Sequence, residues 1–348
     1  MSHYEQRLSQ DTEYLMGQVS RLAQFVDRGL RDSVKALESG DTDLAYRTVL
    51  RDGPINRLTE EIESDAHRFM AKHLPSGGHL RFVSSTMRIA ILLERMGDYA
   101  VTISRHAATL KVPLEGAFQR EVSAMAADAI QMFGQAMQAF RQKDASMALG
   151  TMGYSEQVDR DYVNALTTLE EEDPNQIPIE DLFARLVIIR QLERVSDQAK
   201  NLCEETVFAL TGETKNRKPV PVLVVNGADD GASHIVALIA ERLYGDKLVV
   251  ETAGVTPAES IRDDVKAFLS ERGFDTSSRR PRSLDNLPKP LSSYKVVVSL
   301  ETPVLERMGS LPYASVGLTW RTEKKDDLDA VYRDLASELG ELVKLVRG

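Results

Sequence analysis

Cysteine is nearly missing from this chain of 348 residues: the only one, Cys203, can form no internal disulfide and leaves no cysteine-based zinc site. Also absent is any run of about 18 apolar residues, the length a membrane-spanning helix needs. Residues 1–20 are polar and acidic rather than a secretory leader, so the expectation is a cytoplasmic protein with no direct membrane insertion. A basic excess is missing as well. With Lys+Arg 43 against Asp+Glu 53, the net charge of -10 repels nucleic acid and anionic lipid. What remains is a chain, 42% apolar, that is long enough to bury a sizeable core and reads as two domains.

The feature that is present is a repeat. Leu93-Glu94-Arg95-Met96-Gly97-Asp98-Tyr99-Ala100 returns as Leu192-Glu193-Arg194-Val195-Ser196-Asp197-Gln198-Ala199, each copy late in a long apolar-periodic stretch. Glu94 and Asp98 are four apart, as are Glu193 and Asp197. On a helix that spacing puts both carboxylates on one face, roughly 5–6 Å apart at Cβ. Two like charges so close call for a positive partner, either a cation or an arginine of the next helix. Arg81, Arg88, Arg185 and Arg190 are available for the second role. Glu63 and His67 also share a face, which reads as a surface contact.

Helical periodicity runs through the first 215 residues or so. It predicts helices over 9–37, 41–73 (interrupted at Asp52-Gly53-Pro54), 80–110, 118–142, 145–171 and 179–210. Leu74-Pro75-Ser76-Gly77-Gly78 and Asp173-Pro174 act as breakers. Met16, Phe25, Met87 and Phe183 read as core. Three helices followed by three more make two similar antiparallel bundles, 1–110 and 111–212.

The stretch Ile91-Leu92-Leu93-Glu94-Arg95-Met96-Gly97-Asp98-Tyr99-Ala100-Val101 and its second copy resemble the signature of the PhoU family of phosphate-uptake regulators. Asp52-Gly53-Pro54-Ile55-Asn56 and Val158-Asp159 strengthen the likeness. The resemblance implies a metal site on each repeat. Glu94 and Asp98 would face Asp52 and Asn56, while Glu193 and Asp197 would face Asp159, with Ser155 four positions before it. Asn56 is a neutral carbonyl donor and Ser155 a weak one. Oxygen donors of this kind suit magnesium, calcium, manganese or iron rather than zinc. The resemblance also implies partners: a phosphate-transporter ATPase subunit, a sensor histidine kinase, and a second copy of the chain as a homodimer.

From Pro219 onward strands and helices alternate, with strands over 220–225, 247–252, 295–300 and 314–318 and helices over 232–243, 258–272 and 327–346. That pattern predicts a small α/β domain, a parallel sheet covered by helices on both faces, joined through a polar linker at 213–219. The domain resembles low-molecular-weight tyrosine phosphatases and arsenate reductases through Val222-Leu223-Val224-Val225-Asn226, Glu251-Thr252-Ala253-Gly254, Arg279-Arg280-Pro281-Arg282-Ser283-Leu284 and Val296-Val297-Val298-Ser299-Leu300. In that family a cysteine ends the first strand and an arginine closes the phosphate loop. Here Asn226 and Ala232 stand at those places. An amide cannot replace a thiolate nucleophile. Asp229 and Asp230 are expected to oppose any phosphate at the helix start, and the arginines at 279, 280 and 282 are expected in an exposed loop. The resulting expectation is a metal-binding regulator of phosphate transport and phosphate-starvation signalling carrying an inactive phosphatase-like domain. The alternatives are a phosphatase or arsenate reductase, and a structural oligomerisation bundle.

Overall fold

The computed structural model describes residues 3–173, 176–213, 219–312, 315–322 and 327–347. The chain divides into two compact units, Met1–Lys215 and Asn216–Gly348; most of the linker expected at 213–219 lies outside the described residues.

The first unit holds α1 (His3–Ser39), α2 (Thr42–Leu50), α3 (Asp52–His73) and α4 (Gly77–Thr109), then α5 (Gly116–Gln142), α6 (Ala145–Met152), α7 (Ser155–Glu170) and α8 (Ile179–Thr211). Each repeat is therefore a long helix, a broken helix and a long helix. The turns that open the broken helices are built alike. Asp41 caps α2 by accepting from the Leu44 N–H, and Asp144 caps α6 by accepting from the Met147 N–H. Ahead of the caps, Gly40 and Lys143 adopt the left-handed conformation at φ 65° and 55°.

The breaks fall where backbone donors can be lost. In the first repeat the chain breaks at Arg51, one residue earlier than expected, and Asp52-Gly53-Pro54 forms the first turn of α3. The first helical N–H groups have no partner within a helix, so Pro54 forfeits nothing there. In the second repeat the expected single helix over 145–171 is split at Gly153-Tyr154. Gly77 and Gly78 start α4 rather than lying in the preceding break, which is made by Leu74 at φ 43° and the Pro75-Ser76 pair.

The two repeats share a core. Leu93, Met96 and Ala100 of α4 lie in one buried cluster with Val195, Ala199 and Leu202 of α8 and with residues of α1 and α5. Each fully buried Leu or Met there contributes about 1.5–3 kcal/mol. Cys203 belongs to the same cluster, and burial pushes its thiol pKa up to about 12, which leaves it inert. Met16 and Met87 pack at the edge of the core as expected. Phe25 and Phe183 do not, being 37% and 62% exposed. Both keep to the helical period but fall on its outer flank, and Phe25 lies under the Arg21 guanidinium.

The second unit is a four-stranded parallel sheet in the order β2-β1-β3-β4. The strands are β1 (Val220–Asn226), β2 (Leu248–Gly254), β3 (Val296–Leu300) and β4 (Val316–Trp320). Along β1 successive side chains take opposite faces. Val222 and Val224 pack with α9 (Ala232–Tyr244), α10 (Asp263–Glu271) and α12 (Leu328–Arg347). Leu223 and Val225 face the opposite way, where long helices were expected. Two short 3-10 turns, Leu284–Asn286 and Leu291–Ser293, cover that face together with Met308 and Leu311. Pro281, Pro288 and Pro290 in this segment exclude a continuous helix. Helix α10 starts later than expected because residues 258–262 run as a strap: Ala258 N–H donates to Ala228 O at 2.8 Å and Arg262 N–H to Asp230 O at 2.9 Å. The short helix α11 (Val304–Met308) had no sequence signal, and β4 begins at Val316, with Ala314 outside the described residues.

Candidate functional site

The pairing of α3 with α4 brings the expected acidic residues of the first repeat together. Gly97 makes the close approach, since a Cβ there would stand 3.0 Å from Ile55 Cδ1 and 3.2 Å from Ile55 Cγ2. Asp52 and Asn56, flanking Ile55 at i−3 and i+1, come to the α4 face that carries Glu94 and Asp98. The Asn56 side-chain N–H donates to Asp52 Oδ2 at 3.1 Å, which fixes the amide with its carbonyl oxygen turned away. Asp52 Oδ1 and Asn56 Oδ1 are then both buried without a partner. Burial, joined by the neighbouring charges of Asp98 and Asp52, raises the Glu94 pKa above the usual carboxylate range. Asp98 rises for the same reason, by burial and then Asp52. Glu63 adds the smallest of the negative contributions at Glu94 and is half-buried at the margin of the group.

The second repeat builds a weaker version. Burial and the nearby Asp197 raise the pKa of Glu193, and Arg190 offsets part of this. Burial and Asp197 likewise raise Asp159, against Lys200. Glu193 Oε1 pairs with Arg190 Nη1 at 3.0 Å, while Glu193 Oε2 is buried and unpartnered. Ser155, at the place of Asp52, is buried and donates its hydroxyl proton to Met152 O at 3.0 Å, so it brings a neutral oxygen where the first repeat has a carboxylate.

Of the four arginines considered as partners, only Arg190 meets a member of either group. Arg88 pairs with Glu205 at 3.1 Å and Arg185 with Glu172 at 2.5 Å, and Arg81 lies beside Gly212. Among the described residues Glu94 and Asp98 have no ion pair. Among the same residues no three His, Cys, Asp or Glu side chains converge as ligands of one ion. Uncompensated carboxylates spread apart in this way. The donor set nevertheless fits a hard cation: it is all oxygen, it carries excess negative charge, and its orphaned oxygens point to a missing positive partner.

The β1–α9 loop departs from expectation at one residue. Asn226 does end β1 and Ala232 does open α9, so the side chains at the two ends of this loop are an amide and a methyl group. Asp229, however, does not face a phosphate position. It is fully buried at φ 50°, accepts from Ser233 Oγ at 2.7 Å, Thr252 Oγ1 at 3.2 Å and the Arg282 N–H at 2.9 Å, and thereby holds the loop from beneath. The Asn226 side-chain oxygen accepts from the Asp229 N–H, closing the turn. Asp230 is half-exposed, and its carbonyl accepts from the Arg262 N–H at 2.9 Å. Arg307 of α11 reaches the loop from outside: its Nε donates to Ser299 Oγ at 2.9 Å, and a Cβ at Gly227 would lie 3.9 Å from its Nη1.

No helix among the described residues is long and apolar enough to cross a membrane. Comparison with known proteins finds the PhoU domain over residues 19–107 and again over 122–206. A Pseudomonas aeruginosa homologue of the phosphate-specific transport system accessory protein PhoU is 30% identical over 216 residues, which cover 60% of this chain and 88% of that protein. The crystal structure of PhoU from the same organism superposes with a TM-score of 0.56 at 29% identity, over 59% of this chain and 99% of that one. Over the C-terminal part, the arsenate reductase of Archaeoglobus fulgidus is similar at 26% identity and a TM-score of 0.29, spanning 36% of this chain and 99% of that one.

Proposed function

Because the chain belongs to the PhoU domain family, we propose that it is an accessory regulator of phosphate transport whose two acidic faces each take a metal ion. The observation that carries the reading is the recurrence of one carboxylate constellation in both repeats, with buried oxygens that have no protein partner. Glu94, Asp98, Asp52 and Asn56 hold the ion of the first repeat, and Glu193, Asp197 and Asp159 that of the second. Iron, manganese or magnesium suits these donors better than zinc. When bound, the cation neutralises charge that otherwise opposes the docking of α3 on α4 and of α7 on α8. Both sites offer three carboxylates, but the first adds the Asn56 oxygen and has no ion pair among the described residues, whereas Glu193 is held by Arg190, so the first is the tighter of the two.

The second unit is a recognition module without phosphatase or arsenate reductase chemistry. The side chain of Asn226 is spent inside the loop and has no pair of electrons that could attack phosphorus, and the one thiol of the chain is buried in the helical core. Regulation rather than catalysis then requires protein partners, and a phosphate-transporter ATPase subunit or a sensor histidine kinase is the proposed contact of the helical unit. Tagged full-length chain should retain such a protein in a pull-down, and residues 220–348 alone should not. Equal retention by residues 220–348 contradicts the proposal.

A further inference from the structure

The arginine-rich segment after α10 closes a polar pocket of about 350 Å³ against β2 and α9, apart from the β1–α9 loop mouth. Its cations are mostly committed. Arg279 donates to Glu241 at 2.7 Å, and Arg282 lies 3.7 Å from Glu251. Arg280 has no carboxylate partner among the described residues: its Nη1 rests on the carbonyls of Ser277 and Arg279 at 3.0 and 2.9 Å, leaving its other N–H groups to the pocket. Asp275, also lining the pocket, is turned to the Ser277 N–H. The three arginines of the lining, 279, 280 and 282, are matched in number by Glu241, Glu251 and Asp275, and Arg280 is the one guanidinium among them with no carboxylate partner among the described residues.

The second observation is His234, which lines the pocket while only 1% exposed. Its Nε2–H donates to Asp229 O at 2.8 Å; a carbonyl can only accept, so the proton is on Nε2. Burial holds the ring below the ordinary histidine pKa, and the neutral ring keeps a lone pair on Nδ1. That Nδ1 is buried and has no partner. A ligand that satisfies both features must present negative charge to Arg280 and an O–H to His234 Nδ1.

We propose that this pocket binds hydrogen phosphate, with its anionic oxygens on Arg280 and its hydroxyl donating to His234 Nδ1. Around neutral pH free phosphate carries a proton in both its populated forms, whereas sulfate, of nearly the same shape and charge, carries none. A phosphomonoester, whose second ionisation lies near pH 6, has mostly lost the proton from its phosphate group. The lone pair of Nδ1 therefore selects free phosphate over sulfate and over esters. The site goes beyond the metal-centred reading and does not depend on it, since every residue it uses lies in the second unit. It would give that unit direct sensitivity to the ion whose transport the helical unit is proposed to regulate.

Calorimetric titration of the full chain, in the presence of a chelator so that metal-bound phosphate does not contribute, tests this with three probes: inorganic phosphate, sulfate and glycerol phosphate. Phosphate is expected to bind about tenfold more tightly than either of the others, the worth of one hydrogen bond to a buried acceptor. Arg280→Gln should weaken phosphate about tenfold, and His234→Phe should remove the preference over sulfate. Arg307→Gln, beside the other loop, should leave binding unchanged. Equal affinity for phosphate and sulfate, no binding of phosphate, or loss of binding in Arg307→Gln alone each overturns the assignment. The native-protein comparison and the exposed Arg280 site decide the matter even if the His234 variant fails to fold.

Discussion

Glu94 and Asp98 show at the residue scale what an uncompensated charge pair does to stability. Their folded pKa values are raised, so the folded state binds more protons than the unfolded state and stability falls as pH rises through those values. The penalty is present at neutral pH and is relieved on acidification. Glu94→Gln with Asp98→Asn is therefore expected to stabilise the metal-free protein at neutral pH by about 0.5 kcal/mol, with the gain vanishing in mildly acidic buffer. Denaturant melts at two pH values measure it, and a destabilised variant at neutral pH contradicts it. Asp229 is a buried carboxylate whose partners are all in place. Its carboxylate holds three donors and its backbone is left-handed, a conformation asparagine tolerates and alanine does not. Asp229→Ala should cost about 3 kcal/mol and Asp229→Asn much less, read as unfolding of the second unit. The sequence made the repeated Glu and Asp legible because spacing on a helix fixes direction. It could not show that Asp229 turns inward, because that depends on a single positive φ and on Thr252 and Arg282, far away along the chain.

At the scale of elements, the two repeats solve the same packing problem with different pairs. Where α3 meets α4, Ile55 fills the space left by Gly97. The equivalent positions in α7 and α8 are Val158 and Ser196, one smaller and one larger. Gly97→Ser should overpack the first repeat at a cost of about 2 kcal/mol, and adding Ile55→Val should recover roughly 1 kcal/mol of it. Additive effects in a double-mutant cycle would show that the helices do not meet as described. The start of α8 has a separate task. Arg185 is buried against Glu172 at 2.5 Å and donates to the carbonyls of Val112 and Pro113. Asp181 accepts from the N–H groups of Lys111 and Val112 at 2.9 and 2.8 Å. Together they anchor the connection between the repeats, and Arg185→Ala should destabilise the helical unit by about 3 kcal/mol, leaving Glu172 half-buried without its partner. The periodicity revealed the long helices to within a few residues. It missed the break at Gly153-Tyr154, where the apolar pattern continues unchanged through the turn, and it missed α11, which is too short to establish a period.

Across the whole molecule, the chain joins a helical unit whose two repeats share one core to an α/β unit built on a four-stranded parallel sheet. Fold class was legible at this scale because period changes from helical to alternating strand and helix near residue 215, and because a 99-residue echo is hard to produce by chance. The cover of the second sheet face was not, since proline-rich segments carry no periodic signal. Purified full chain is expected to hydrolyse no aryl phosphate and to reduce no arsenate, and turnover that survives removal of contaminating enzymes contradicts the reading of Asn226 and Ala232. The most direct test of the regulator's proposed metal centres is elemental analysis of the full chain purified without chelator, beside Glu94→Ala/Asp98→Ala and Glu193→Ala/Asp197→Ala. The parent should carry bound iron, manganese, magnesium or zinc, the first double variant should lose the more tightly held ion and the second the weaker one. Metal content unchanged in both variants, or no metal in a correctly folded parent, would contradict the assignment.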